Sequence, residues 1–236
     1  QGLDWENYNP TLISPGGGVY SRDAAQIQLS PQAQKTFGTS LDMVNGEELI
    51  RIILKAPVDM IFNGGIGTYI KSALESNNEI HDLSNDTVRV DAEEVRARII
   101  VEGGNLGVSP AGRIAFAKSG GLINTDAIDN SAGVDLSDHE VNLKILLDIL
   151  LKKGIIPDFK HRNSLLGNLS GEMVNLVLNN NFRQNWAMVY LEYMSKMNVQ
   201  DLYLALEILS SCNAWSDEAE KIKILQIINE SAAKKS

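Results

Sequence analysis

Val58-Asp59-Met60-Ile61-Phe62 runs directly into Asn63-Gly64-Gly65-Ile66-Gly67-Thr68. A short apolar run that stops at glycines predicts a buried parallel strand feeding a loop. Pro57, just ahead of it, closes a helix expected over residues 46–56. In that helix Leu49, Ile50, Ile53 and Leu54 share one face, and Glu47 and Glu48 occupy the first turn, where the helix dipole favours acids.

The same grammar recurs downstream. Asp91 opens a short helix expected over 91–97, followed by a second strand, Arg98-Ile99-Ile100-Val101, that stops at Glu102-Gly103-Gly104-Asn105. Ser109-Pro110 opens a helix over 110–118, and Leu122-Ile123-Asn124-Thr125 is a third strand. Residues 46–130 thus alternate helix and strand, which predicts an α/β fold: a partial Rossmann-like parallel sheet with flanking helices. Ligands of such sheets sit at the carboxyl ends of the strands, and each strand here ends in Gly, Asn, Asp or Thr.

On either side the character changes. Residues 1–45 are rich in turn signals and read as an irregular lead-in, with a short helix after Ser30-Pro31. The dinucleotide-binding part is expected over 46–140 and an all-helical segment over 141–236. Ser137 and Glu140 fit a capping box for a helix running to about Lys153. Val174, Leu178, Phe182, Trp186, Val189, Tyr193 and Met197 mark a long amphipathic helix over 170–198. Two more helices are expected, near 200–211 and 216–232.

Composition narrows the function classes. Of 236 residues 44% are hydrophobic, enough for one large or two small domains. Thirty acidic residues against 21 basic ones give a net charge of −9 without a Lys/Arg run, which argues against nucleic acid as a partner. No stretch reaches the roughly 18–20 apolar residues of a membrane helix. The lone Cys212 leaves no disulfide framework and points to a reducing, cytoplasmic setting, with Cys212 itself a small buried hydrophobe. The opening Gln1-Gly2-Leu3-Asp4-Trp5 lacks an initiator Met and reads as a segment of something longer.

Three motifs carry candidate chemistry. Glycines in Asn63–Thr68 permit close backbone approach to a phosphate or ribose; without the third glycine of G-x-G-x-x-G they equally fit an ordinary turn. Asn105, ending Glu102-Gly103-Gly104-Asn105, donates and accepts together, which suits a ribose hydroxyl or a carboxamide. Residues 124–140 gather Asp126, Asp129, Asp135, Asp138, His139 and Glu140, but at neither EF-hand nor zinc spacing, so no metal is expected. His139 reads as exposed or satisfied, and His81 and His161 as surface residues. No G-x-S-x-G elbow supports a hydrolase.

Three blocks, Ala56–Lys71 (APVDMIFNGGIGTYIK), Arg89–Gly121 and Ile123–Leu147, resemble consecutive blocks of the large-subunit bacterial NAD-specific glutamate dehydrogenases. Thr11–Arg22 resembles the block ahead of them. The resemblance implies oxidative deamination of L-glutamate to 2-oxoglutarate with hydride passing to NAD, in a homo-oligomer. More distantly, Glu102-Gly103-Gly104-Asn105 is similar to the E-G-A-N motif of the smaller hexameric glutamate dehydrogenases, which implies that Asn105, beside Gly103 and Gly104, contacts the nicotinamide ribose region. Asn63, Gly64, Gly65, Gly67 and Thr68 would then lie along the dinucleotide. Asn130–Ser137 keeps Asn, Gly, Val and Ser of an N-A-G-G-V-x-x-S motif, making Asn130 and Ser137 candidate substrate contacts and Ser137 also a helix cap.

The resemblance implies that the family's catalytic lysine and aspartate, and its pyrophosphate turn, are to be expected in sequence ahead of Gln1, so no catalytic residue is assigned and the chain alone is expected to be inactive. Two other readings compete. A stand-alone nucleotide-binding or regulatory interaction module would be favoured by a start codon just upstream of Gln1. An α/β domain of another NAD-dependent amino-acid dehydrogenase leaves Asp129–Glu140 (DNSAGVDLSDHE) unexplained. Half a doubly wound sheet would also expose an edge and an apolar face, favouring self-association or cover from residues 1–45 or the terminal helices.

Overall fold

The computed structural model describes residues 7–197 with Leu204, Glu207 and Ile208. Cys212 and the helices expected over 200–211 and 216–232 lie, wholly or largely, outside these described residues. The chain divides into two compact units, residues 1–146 and 147–236.

The lead-in is more regular than its turn signals suggest. β1 (Ile27–Gln28), α1 (Pro31–Phe37) and β2 (Met43–Val44) form a small unit in which β1 and β2 pair antiparallel. Ser30 Oγ caps α1 by accepting from Ala33 N, with Pro31 in the first turn. Ile27, Leu29 and Val44 are buried together against Leu49 and Ile52 of α2 (Gly46–Leu54). α2 is set by a reciprocal capping box: Asn45 Oδ1 accepts from Glu48 N at 2.8 Å and Glu48 Oε2 accepts from Asn45 N at 2.9 Å.

β3 (Met60–Asn63) follows. β4 (Ile70–Lys71), α3 (Asn77–Ile80) and β5 (Val90–Asp91) come next, and β4 pairs parallel with β5. Two-residue strands are too short for an alternation pattern, so β4 and β5 leave no trace in the local sequence. The helix expected over 91–97 shrinks to a 3-10 turn, Ala92–Glu94. Its Asp91–Glu94 capping box is present, but Val95 turns extended to reach the core, and Arg96 is drawn away to donate to Lys55 O and Phe37 O.

β6 (Ile99–Glu102), α4 (Pro110–Lys118) and β7 (Leu122–Ile123) complete the sheet, ordered β3-β6-β7 and wholly parallel, with Met60 opposite Ile99 and Ile99 opposite Leu122. Its inward side chains join one core: Ile70, Val90, Ala92, Ile100, Val108 and Phe116, with Ile61 and Ile123 packed on it. The strands are not buried on both faces. Met60, Phe62 and Leu122 stay 52%, 63% and 65% exposed, so these side chains leave the second, apolar face of the sheet open.

α5 (Asp126–Asp129) is capped by Thr125, and α6 runs from Ser131 to Lys152. The start expected at Ser137 is therefore displaced upstream. Ser137 sits inside α6, where its hydroxyl donates to Gly133 O at 3.1 Å, a local bond that needs no helix end. α7 spans Phe159–Met197, beginning where Asp158 Oδ1 accepts from His161 N; Gly167 and Gly171, poor helix formers, interrupt the pattern that sequence reading follows but not the helix. No described helix is long and apolar enough to cross a membrane.

Candidate dinucleotide site

β3 and β6 lie side by side, so their terminal loops meet. Gly103 N donates to Asn63 O at 2.8 Å, and Gly65 N to Asn63 Oδ1 at 3.3 Å. Gly104 passes so near Gly65 that a Cβ on Gly104 would lie 2.3 Å from the Gly65 carbonyl oxygen; only glycine permits that approach. Gly65 has open space above it, and Gly64, Gly65 and Asn105 are exposed. Among the described residues, nothing accepts from the backbone N–H groups of Gly64, Gly104 and Asn105. Three unspent donors at the carboxyl ends of neighbouring parallel strands are what an anionic or hydroxylated ligand requires.

Asn130 joins this group. It links α5 to α6, and its Nδ2 donates to Asn105 Oδ1 at 3.1 Å. The sequence-predicted Asn63, Gly64, Gly65, Gly103, Gly104, Asn105 and Asn130 therefore converge. Ser137 stands about 10 Å further along α6 by helical rise. Gly67 and Thr68 hold the loop from below. Gly67 has φ +107°, and a Cβ there would strike Asn85 Nδ2 at 2.1 Å. Thr68 is nearly buried; its hydroxyl donates to Leu106 O at 2.6 Å.

The loops rest on charged groups. The sequence motifs include Glu102, Asp126 and Asp129 without indicating this supporting role, and do not include Arg113 as a candidate. Glu102 is fully buried; its Oε1 accepts from Val108 N at 2.9 Å, and its Oε2 from Arg113 Nε at 2.8 Å. Arg113 Nη2 also reaches Asp126 Oδ1 at 2.8 Å, while Asp126 Oδ2 accepts from Leu106 N at 2.8 Å. That N–H is aimed by Leu106 itself, which holds φ +53°. Burial is the largest single influence on Asp126 and pushes its pKa up, but the Leu106 N–H, Arg113 and Thr125 together hold it below the ordinary range. Asp129 accepts from Glu102 N at 3.0 Å and from Asn124 Nδ2 at 3.1 Å. The period-two signal was available: Glu102 falls in register with buried Ile100.

Below the first loop, Asp82 Oδ2 accepts from Thr68 N at 2.8 Å and from Asn85 Nδ2 at 2.7 Å. The Asn85 amide and the Ser84 hydroxyl, with help from Thr68 N–H and Arg89, lower the Asp82 pKa to about 2. Several acids of 126–140 are engaged locally: Asp126 with Arg113, Asp135 with His139 at 3.3 Å and Glu140 with Lys144. Among the described residues no group of three His, Cys, Asp or Glu is placed to hold a metal.

Residues 1–191 match the family described as bacterial NAD-glutamate dehydrogenase, catalytic domain. The chain is 52% identical over 187 residues to the NAD-specific glutamate dehydrogenase of Mycobacterium tuberculosis, covering 77% of this chain. It is 45% identical over 195 residues to that of Halomonas elongata, and 46% over 184 residues to that of Pseudomonas aeruginosa, covering 83% and 78% of this chain. The matched regions span only 11–12% of those relatives' lengths. By its sequence and by the blocks that form these loops, this chain belongs to the bacterial NAD-glutamate dehydrogenase catalytic-domain family.

Proposed function

We propose that this chain supplies the later half of the NAD site in an enzyme that oxidises L-glutamate with NAD and water to 2-oxoglutarate, ammonium and NADH. The observation that carries the reading is the convergence of free backbone N–H groups at Gly64, Gly104 and Asn105 with the Asn105–Asn130 pair, at the carboxyl ends of β3 and β6. Bound NAD supplies the hydride acceptor. The chain's own part is to bind and orient: Asn63, Gly64 and Gly65 offer backbone along the dinucleotide, with Gly67 and Thr68 fixing that backbone. Gly103 and Gly104 allow close approach, and Asn105 meets the nicotinamide ribose region.

Asn130, hydrogen-bonded to Asn105, links that contact to the substrate side, where Ser137 is the second candidate for the glutamate carboxylates. No catalytic residue is assigned here, so the isolated chain binds NAD weakly and does not turn over. The half-open Rossmann-like sheet supports a homo-oligomeric or larger parent, and the single Cys212 a cytoplasmic one.

Isothermal titration of the complete enzyme with NAD tests this. Loss of one hydrogen bond in Asn105→Ala is expected to weaken binding about tenfold, near 1.4 kcal/mol. An unchanged Kd refutes the role given to Asn105.

A further inference from the structure

The segment between β4 and β5 contributes nothing to the main sheet, yet it contains a fully buried guanidinium. Arg89 has no exposed side-chain surface and its donors are spent in several directions. Nε donates to Thr68 O at 2.8 Å and Nη2 to Asp82 O at 2.6 Å. Nη1 donates to Asn77 Oδ1 at 2.9 Å and to Asp86 Oδ1 at 2.5 Å. Asp82, whose carboxylate lies 3.7 Å from Arg89, receives Thr68 N–H. Both backbone polar groups of Thr68 are therefore held by this pair.

Thr68 is also where the two ligand loops are joined. Its hydroxyl donates to Leu106 O, and the neighbouring Tyr69 N donates to Gly107 O at 2.9 Å. A displacement of Thr68 moves the Asn63–Thr68 loop relative to Gly103–Asn105. Arg22 of the lead-in reaches the same cluster through Asn85 Oδ1 at 3.2 Å and Ser84 O at 2.8 Å.

We infer that Arg89, acting with Asp82 through Thr68, is a positioning residue that sets the spacing of the two NAD loops and so fixes NAD affinity. This rests on the reading of those loops as the NAD site. Burying a guanidinium is costly unless every donor is matched, and a fork that spans Thr68 O and Asp82 O at once is something a lysine cannot supply. The rigidity is placed where a small misplacement of the ligand is expensive.

The test is steady-state kinetics of the complete enzyme with Arg89→Lys and Asp82→Ala. Each is expected to raise KM for NAD about tenfold, the equivalent of one well-made hydrogen bond, with kcat and KM for glutamate within about twofold. A purely structural role lowers Tm and the fraction of active enzyme but leaves KM for NAD unchanged; that result overturns the inference. Should Arg89→Lys fail to fold, Asp82→Ala decides, since its side chain is at the surface side of the pair. Asn105→Ala separates the two readings. If it weakens NAD while the Arg89 and Asp82 variants do not, only the positioning role fails. If it leaves NAD binding unchanged, the site and the positioning role fall together.

Discussion

Replacing Arg113 with methionine tests the charged layer beneath the second loop. Methionine keeps the length and apolar stem of the side chain and removes the donors. Glu102 loses its bonds from Nε at 2.8 Å and Nη2 at 3.3 Å, and Asp126 loses its 2.8 Å partner. The Glu102 side chain has no exposed surface, so water does not replace what is lost. Breaking a buried pair from one side costs about 3–5 kcal/mol. Set against a typical total stability of roughly 5–15 kcal/mol, that is a large fraction, and it corresponds to a fall in Tm of roughly 6–20 °C. Urea unfolding followed by far-ultraviolet circular dichroism reads the loss, and hydrogen exchange at the Val108 and Leu106 amides assigns it to this layer. The double variant Glu102→Gln/Arg113→Met keeps an oxygen for Val108 N and removes the unmatched charge at Glu102, leaving only the partly exposed Asp126 without its arginine, so it should recover about 1–3 kcal/mol relative to Arg113→Met alone. A cost below about 1 kcal/mol, or no recovery in the double variant, refutes the argument that the pair is held by burial.

Gly104→Ala drives a methyl into the Gly65 carbonyl, at 2.3 Å before relaxation; the forced loop shift should cost about 1–3 kcal/mol and raise KM for NAD, and a variant with wild-type Tm and KM contradicts the close-approach role. Asp82 has a folded pKa depressed from 3.8 to about 2, so its contribution to stability is complete above the ordinary value and is lost as pH falls from there toward 2. Urea midpoints measured between pH 5 and 2 should therefore decline less in Asp82→Asn than in the parent. The open sheet face should bind a hydrophobic dye such as ANS in the isolated chain, and Met60→Thr with Leu122→Thr, which put β-branched residues suited to strands at both positions, should reduce the signal without loss of secondary structure.

Much of the architecture is written in local pattern. β3, β6 and β7 each announce themselves as an apolar run ended by polar or glycine residues, and α1, α2 and α4 by a capping residue or Pro within a residue or two of where they begin. What escaped was structure fixed by distant partners. β4 and β5 exist because Tyr69 N finds Gly107 O and Val90 N finds Tyr69 O, not because two residues have a preference. The turn Ala92–Glu94 stops short because Arg96 is bonded to carbonyls of α1 and of the residue after α2. Ser137 read as a cap because Glu140 follows at capping-box spacing, yet Thr125 had already started the helical path upstream and the hydroxyl was free to bond back along α6. Local signals place helix starts well when no stronger start precedes them.

The candidate site divides along the same line. Residues that approach a ligand through their backbone, Gly64, Gly65, Gly103 and Gly104, are visible as glycines after strands because a missing side chain is itself the signal. Residues that act by charge from underneath, Arg113, Asp126, Asp82 and Arg89, show their role only once the chain is folded, since each is separated in sequence from at least one group it holds. Asp82 to Thr68 and Asp126 to Leu106 are such pairs. Glu102 alone carries a local signal, its strand register with Ile100. The physical division also predicts how the two sets fail. Crowding a loop glycine changes what the ligand meets and leaves most of the core intact, whereas removing Arg113 leaves a buried carboxylate unmatched and weakens the unit as well as the loop. Gly104→Ala and Arg113→Met, compared for NAD affinity per degree of Tm lost, should therefore fall on different lines: steep for the glycine, shallow for the arginine.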